Sequence, residues 1–297
     1  MPADRRRLRP ALALAAALLP LGACDAASTA GGDTDPPAAT PEPGLTQYVA
    51  LGDSFTAAPL VPNTDLAEGC FRSSGNYPAL LAETLDLELR DVSCSGADTG
   101  DVTGRQTVAG GRGTAAPQLR AVRRDTDLVT VGIGGNDQDV FASLVQGCVR
   151  SSGGAVSCGD ALEQRYGDPE TVLRETGRRV GAVLRAVRRR APDATVVLVG
   201  YPRLASTEEG CDVLPLTDDD RMLVADLESA LNDALREAAE GSGAEFLDMR
   251  ALSEGHEVCS AEPWVNGMNT DQSRALAFHP FAEGQEAVAD ALVELVR

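Results

Sequence analysis

The stretch Tyr48-Val49-Ala50-Leu51-Gly52-Asp53-Ser54-Phe55-Thr56 is a short apolar, β-favouring run that stops at Gly-Asp-Ser. A strand that ends this way sets a serine hydroxyl at its carboxyl end, where open α/β sheets assemble their sites. Gly-Asp-Ser is also ordinary turn chemistry, so its meaning depends on the rest of the chain. Four further apolar runs follow: Leu87–Val92, Leu128–Ile133, Thr195–Val199 and Ala244–Leu247. Helical periodicity lies between them. Val172, Thr176, Val180, Val183 and Val187 share one face; so do Leu223, Leu227, Leu231 and Leu235, and then Val288, Leu292 and Leu295. Thr217-x-x-Asp220 is a capping-box-like start for the second of these helices. Strands separated by helices pair in parallel through right-handed crossovers. The pattern predicts a three-layer α/β/α domain around a five-stranded, parallel, doubly wound sheet. Near-continuous apolar strands such as Thr195–Val199 fit a sheet covered on both faces.

The 297 residues, 43% hydrophobic and 24% charged, carry a formal net charge of −19. Such a surface repels nucleic acid and offers no basic patch for anionic lipid. All 26 basic residues are arginine, because the chain contains no lysine. A P-loop, a Schiff-base lysine, a protein-kinase β3 lysine and a Ser-x-x-Lys acylation site are therefore excluded. No Gly-x-Ser-x-Gly occurs either, which excludes the α/β-hydrolase elbow at motif level.

The first residues read as an export signal. Arg5, Arg6, Arg7 and Arg9 precede an apolar run, Ala11 to Leu21, too short to span a bilayer. The run closes on Leu21-Gly22-Ala23-Cys24, which resembles the lipobox of bacterial lipoproteins, with Cys24 as the lipid-modified residue. Residues 1–23 thus read as a lipoprotein-type signal peptide and residues 24–44, rich in Ala, Thr, Pro, Gly and Asp, as a disordered tether. Residues 45–297 form the folded domain, with no internal repeat. Beyond Cys24 six cysteines remain: Cys70, Cys94, Cys148, Cys158, Cys211 and Cys259. An even set in an exported chain reads as disulfides, and the absence of Cys-x-x-Cys removes the main support for zinc. Five of the six lie in the long irregular stretches 57–76, 137–168, 201–216 and 250–278.

A serine nucleophile needs a base, and the chain has two histidines. His279 sits just before a helix start, with Pro280 at a first-turn position. His256 lies in a loop beside Cys259 and reads as a solvated side chain. Two histidines cannot build a histidine-rich metal site, and no metal or organic cofactor is implied. Acyl transfer also needs donors aimed at the developing oxyanion. Asn136, in Gly134-Gly135-Asn136-Asp137, follows the third strand; Gly96 follows the second and offers a bare backbone N–H.

The order Gly52-Asp53-Ser54, then Gly96, then Gly134-Gly135-Asn136-Asp137, then His279-Pro280 resembles the SGNH (GDSL-type) hydrolases, over residues 47–297. Cys70-Phe71-Arg72-Ser73, Tyr77-Pro78 and Cys94-Ser95-Gly96-Ala97 look like the actinobacterial secreted branch of esterases and lipases. The resemblance implies the flavodoxin-like fold of that family and a carboxylic ester hydrolase, with small-molecule or lipid esters as substrates. It makes Ser54 the nucleophile and His279 the base. The Ser54 and Gly96 N–H groups and the Asn136 amide form the oxyanion hole. Most members carry Asp three residues before the histidine; here that residue is Leu276, and no acidic residue lies nearer before His279 than Asp271. Some secreted members orient the histidine with a backbone carbonyl instead, so the resemblance implies the carbonyl of Leu276 or Ala277 here. The resemblance also suggests that the cysteines pair in sequence order: Cys70–Cys94, Cys148–Cys158 and Cys211–Cys259. A glycan O-deacetylase or acyltransferase of the cell envelope is the alternative within the family, and a non-catalytic ligand-binding lipoprotein the alternative outside it. Aromatic content of 4%, with Trp264 the sole tryptophan, disfavours a sugar-binding cleft. A monomer, held at the membrane through Cys24, is expected.

If Cys24 carries two acyl chains, the number that stable anchoring takes, Cys24→Ala should release or misprocess the protein. Unchanged membrane fractionation of that variant would overturn the lipobox reading.

Overall fold

The computed structural model describes residues 44–108 and 113–297; the leader with Cys24, and the tether up to Pro43, lie outside the described residues. All five expected strands form, as β1 (Gln47–Gly52), β2 (Glu88–Asp91), β5 (Leu128–Gly132), β6 (Thr195–Val199) and β7 (Glu245–Leu247). They make one parallel sheet in the order β2-β1-β5-β6-β7. A two-stranded antiparallel hairpin, β3 (Gln106–Thr107) with β4 (Thr114–Ala115), stands apart from it.

Side-chain alternation in the strands feeds two separate cores. Val49, Leu51, Val129, Val131, Val196 and Leu198 face α6 (Pro169–Arg190) and α7 (Asp218–Glu240), whose Val180, Val183, Leu184, Val224, Leu231 and Leu235 complete that layer. Tyr48, Ala50, Leu128, Val197 and Val199 face the other way. There α2 (Tyr77–Leu85) and α9 (Ala282–Val296) contribute Tyr77, Leu81, Val288 and Leu292. Both faces are covered, the reason the inner strands β1, β5 and β6 are apolar almost throughout, while the edge strand β2 carries Glu88, Arg90 and Asp91. Thr217 caps α7 by accepting from the Asp220 N–H, and Asp168 caps α6, whose Pro169 stands in the first turn. Of the periodic residues in α9, Leu295 is exposed and Val293 is buried in its place.

Shorter helices occupy the connections: α1 (Ser54–Ala57), α3 (Thr99–Thr103), α4 (Cys148–Ser151), α5 (Cys158–Tyr166) and α8 (Met249–Leu252). Two sequence expectations fail here. The 137–168 stretch is largely helical, through a π-helical turn at Ala142–Gly147 followed by α4 and α5. Its apolar residues are too few per turn to show a period, and burial against α6 and α7 supplies what periodicity did not. Pro280 is not in the first turn of α9. Phe281 is the N-cap and Ala282 begins the helix, because Pro280 is engaged in a bridge with Val265. The disulfides join Cys70 to Cys94, Cys148 to Cys158 and Cys211 to Cys259. Among the described residues no helix is long and apolar enough to cross a membrane.

Gly177 lets α6 approach α7: a Cβ there would lie 2.6 Å from the Ala234 carbonyl oxygen. Helix propensity favours alanine over glycine by about 1 kcal/mol, while overpacking a tight contact costs about 1–3 kcal/mol. The obstacle is backbone and cannot rotate away, so Gly177→Ala should lower stability, by up to about 2 kcal/mol, in urea unfolding. A stabilised variant would show that the helices yield at this contact.

Candidate active site

The chain leaves β1 to one side, forms β2, then crosses to β5 on the other side of β1. The strand order therefore reverses between β1 and β5, which is where doubly wound sheets open a crevice for ligands. Gly52 and Gly132 are opposite one another in the register, at the carboxyl ends of these two strands. The ladder runs one step further, since Asp53 N–H donates to Gly132 O at 2.9 Å. Gly52 cannot carry a side chain, because a Cβ would meet the Thr56 side chain and the Gly132 carbonyl oxygen. Its backbone is held on the other edge by Gln118, whose Oε1 accepts from Gly52 N–H at 2.8 Å and whose Nε2 donates to Gly52 O at 2.9 Å.

Ser54 follows at once, partly exposed, as the first residue of α1. Asp53 is buried and caps this turn, its Oδ1 accepting from Phe55 N–H at 2.9 Å. Burial pushes its carboxyl up to about 7, against the opposing pull of a hydrogen bond from Tyr201. On the β2 side, Cys94 N–H donates to Gly52 O, and Ser95 N–H to Cys70 O, both at 2.9 Å. Gln106 Nε2 holds the Ser95 carbonyl at 2.9 Å. Gly96 has φ +77°, a left-handed conformation that glycine adopts without cost. Space is not the reason, since a Cβ would meet only Gln106 Nε2, at 4.0 Å.

Asn136 follows β5 and reaches the same place. Its Nδ2 donates to Ala97 O at 2.9 Å, one residue past Gly96. A primary amide has two N–H bonds, so one remains for another acceptor. The neighbouring Asp137 is buried and joins the same two segments. Its oxygens accept from Thr99 N–H at 2.9 Å and Thr99 Oγ1 at 2.6 Å, and burial raises its pKa.

His279 is fixed from several directions. Its N–H reaches Leu276 O at 3.2 Å, and its carbonyl accepts from Asn266 N–H at 2.9 Å. Phe278 before it takes a left-handed φ of +59°, stabilised by its N–H bond to Gly267 O. The ring nitrogen Nδ1 lies 2.7 Å from the Ala277 carbonyl. Leu276 O, the other expected candidate, is engaged instead by Asn266 Nδ2 and by the His279 N–H. A carbonyl only accepts, so Nδ1 carries the hydrogen and the neutral ring keeps its lone pair on Nε2. The ring packs against Phe55, next to Ser54, at 5.3 Å between centroids and meets Phe141 at 6.1 Å. Burial lowers its pKa from the ordinary value of 6.5, only partly offset by the Ala277 carbonyl. Asp271 is turned away, its Oδ1 accepting from Ser273 N–H and Oγ.

His256 is not the solvated side chain the sequence suggests. It is half-buried, stacked flat on Trp264 at 4.0 Å, with Nδ1 2.7 Å from Glu262 O. That stacking also covers one face of the only tryptophan. Gln285 was invisible to sequence reasoning, a lone glutamine in α9, yet it ties that helix to the site. Its Nε2 donates to Phe55 O at 3.0 Å and its Oε1 accepts from Tyr77 N–H at 2.7 Å. Gln118 and Tyr201 left no signal either, while Asp137 could have been noticed for its place beside Asn136. Among the described residues no group of three or more His, Cys, Asp or Glu is gathered to hold a metal ion.

Residues 50–287 match the GDSL-like lipase/acylhydrolase family. The chain belongs to that family. It is 35% identical to Lipase 2 of Streptomyces coelicolor over 98% of this chain and 97% of that protein. Its fold is similar to the crystal structure of phospholipase A1 from Streptomyces albidoflavus, with a TM-score of 0.71, 29% identity, and coverage of 84% of this chain and 99% of that one. An extracellular lipase from Streptomyces rimosus gives a TM-score of 0.70 at 29% identity, with the same coverage. This GDSL hydrolase is therefore a carboxylic ester hydrolase on the SGNH fold.

Among the described residues no carboxylate pairs with His279, and burial disfavours the charged ring. Its C2 proton should titrate below about 6.5 in an NMR experiment. A value well above neutrality would mean that an acidic group reaches the ring in solution.

Proposed function

We propose that the enzyme hydrolyses acyl esters through an acyl-enzyme on Ser54. His279 Nε2 takes the Ser54 proton as Oγ attacks the ester carbonyl. The tetrahedral oxyanion is met by the backbone N–H groups of Ser54 and Gly96 and by the free N–H of the Asn136 amide. His279 then gives its proton to the leaving alkoxide as the C–O bond breaks. Water, deprotonated by the same nitrogen, attacks the acyl-enzyme and restores Ser54. The observation that carries this reading is the His279 ring. It is locked by Ala277 O into the tautomer that leaves Nε2 free, and it is packed on Phe55 beside Ser54.

Lipid acyl esters are the substrate class that the surroundings favour. Phe55 and Phe141 flank His279 and give the ring apolar surroundings. The names of the similar proteins, lipase and phospholipase A1, point the same way. A sugar platform is disfavoured, because Trp264 already has one face on His256. Three disulfides suit an oxidising, extracytoplasmic compartment, and the Streptomyces rimosus relative is described as extracellular. Attachment to the membrane through Cys24 remains our proposal from the sequence.

Ser54→Ala should abolish ester hydrolysis and labelling by a fluorophosphonate probe. His279→Ala should cost about 10²–10⁴-fold in kcat, Asn136→Ala about 10²–10³-fold, and His256→Ala little. Because His279 must be neutral to act as base, and its pKa is lowered, the part of the acid limb of kcat/KM that His279 itself sets should lie at or below about 6.5. Greater damage from His256→Ala than from His279→Ala, with the fold intact, would overturn the assignment.

A further inference from the structure

Tyr201 lies two residues beyond the end of β6, outside all four motif blocks. Its ring is buried and meets the Phe55 ring edge-on at 5.2 Å. Its hydroxyl is used twice. The O–H donates to Asp53 Oδ2 at 2.6 Å, and the oxygen accepts from the Gly135 N–H at 2.8 Å. The first partner immediately precedes Ser54 and the second immediately precedes Asn136. Gly135 is small for this contact, since a Cβ there would lie 3.0 Å from the Tyr201 ring and its oxygen.

We propose that Tyr201 is a positioning residue for hydrolysis, its hydroxyl setting the separation of Ser54 from Asn136 by bridging Asp53 to Gly135. The inference rests on the reading in which Ser54 and Asn136 act on the substrate. Both residues sit in turns beyond the paired parts of β1 and β5, where the sheet ladder no longer dictates their spacing. The bridge replaces that ladder. Its hydrogen bonds point one way, from Gly135 N–H to the phenol oxygen and from the phenol O–H to a carboxylate, so each strengthens the other in buried surroundings.

That direction requires an ionised Asp53. Protonation sets a carboxyl hydrogen against the phenol hydrogen, and one link is lost. The titratable groups around Asp53 are Tyr201, Tyr77 and Asp137, and no arginine among the described residues pairs with it. Removing the phenol hydroxyl takes away a bond that favours the charged carboxylate, so Asp53 would hold its proton to higher pH.

The test compares Tyr201→Phe with Tyr48→Phe. Tyr48 is also buried, and its hydroxyl makes one 2.7 Å bond to Thr130 Oγ1 on the opposite face of the sheet. Each change deletes one buried hydroxyl, but only Tyr201 touches the turns of the site. With a soluble nitrophenyl ester, Tyr201→Phe should lose about 10–100-fold in kcat, the scale of a small misplacement of reacting groups. KM should stay within about twofold, and the acid limb of kcat should move to higher pH. Tyr48→Phe should stay within about twofold in kcat, even where its loss of Tm is similar. A Tyr201→Phe enzyme with kcat within about twofold of wild type, or an equal loss in Tyr48→Phe, overturns the proposal. Should Tyr201→Phe fail to fold, Asp53→Asn carries the test, because its one amide oxygen can still accept from the Phe55 N–H while its NH2 replaces the oxygen that accepts the Tyr201 O–H, and the titration is removed. It should fold, lose kcat, and leave an acid limb set by His279 alone; a wild-type kcat and pH profile would overturn the proposal. Wild-type protein that neither hydrolyses esters nor labels at Ser54 would instead sink the hydrolase reading itself.

Discussion

The parallel register that sets Gly52 opposite Gly132 is the constraint on which the site depends. It brings two strand ends to one height across the point where the strand order reverses. Neither glycine has room for a side chain: a Cβ at either would run into Thr56. A slip of register there would separate the turns that carry Ser54 and Asn136 by a strand residue's rise, about 3.3 Å. That exceeds the tolerance of the proposed oxyanion contacts, which require donors within about 2.7–3.1 Å. The two apolar cores, one on each face, hold the register because such a slip would turn every strand side chain to the wrong layer.

Beyond the strand ends, buried polar groups take over from the ladder. Gln118 completes the backbone pairing of Gly52, Asp137 fastens Thr99, and Gln285 ties α9 to both Phe55 and α2. Each is a tertiary contact spanning tens of residues or more in sequence. Each would also be expensive to leave half made, since a buried donor or acceptor without a partner costs about 1–3 kcal/mol.

The electrostatics of His279, the proposed base, differ from those of a carboxylate-assisted histidine. A carbonyl orients the ring and fixes its tautomer, but it does not hold the imidazolium as an anion would. Burial then lowers the pKa of His279 and keeps it neutral at ordinary pH. The arrangement favours proton abstraction over stabilisation of the charged ring. The negative charge nearest Ser54 along the chain is Asp53, held at a pKa of about 7 by burial.

Much of this was legible in the sequence. Short apolar runs located the five strands and a three-to-four-residue period located the three long helices, because a strand buried on both faces is apolar throughout while a helix buries only one side. The four motif blocks named Ser54, Gly96, Asn136 and His279, because each follows an apolar strand or precedes a periodic helix. The absence of an acidic residue near His279 pointed to a carbonyl and left Leu276 and Ala277 as equals. Only the tertiary structure chose Ala277, since Asn266 occupies the other oxygen. Likewise, the sequence showed His256 as a lone loop histidine, and only folding laid it on Trp264. The helices within 137–168 were hidden because short helices are held by neighbours and not by their own periodicity. Tyr201, Gln118 and Gln285 were hidden for a related reason. A single polar residue acquires its partner from a distant strand or turn, and no local spacing records that meeting.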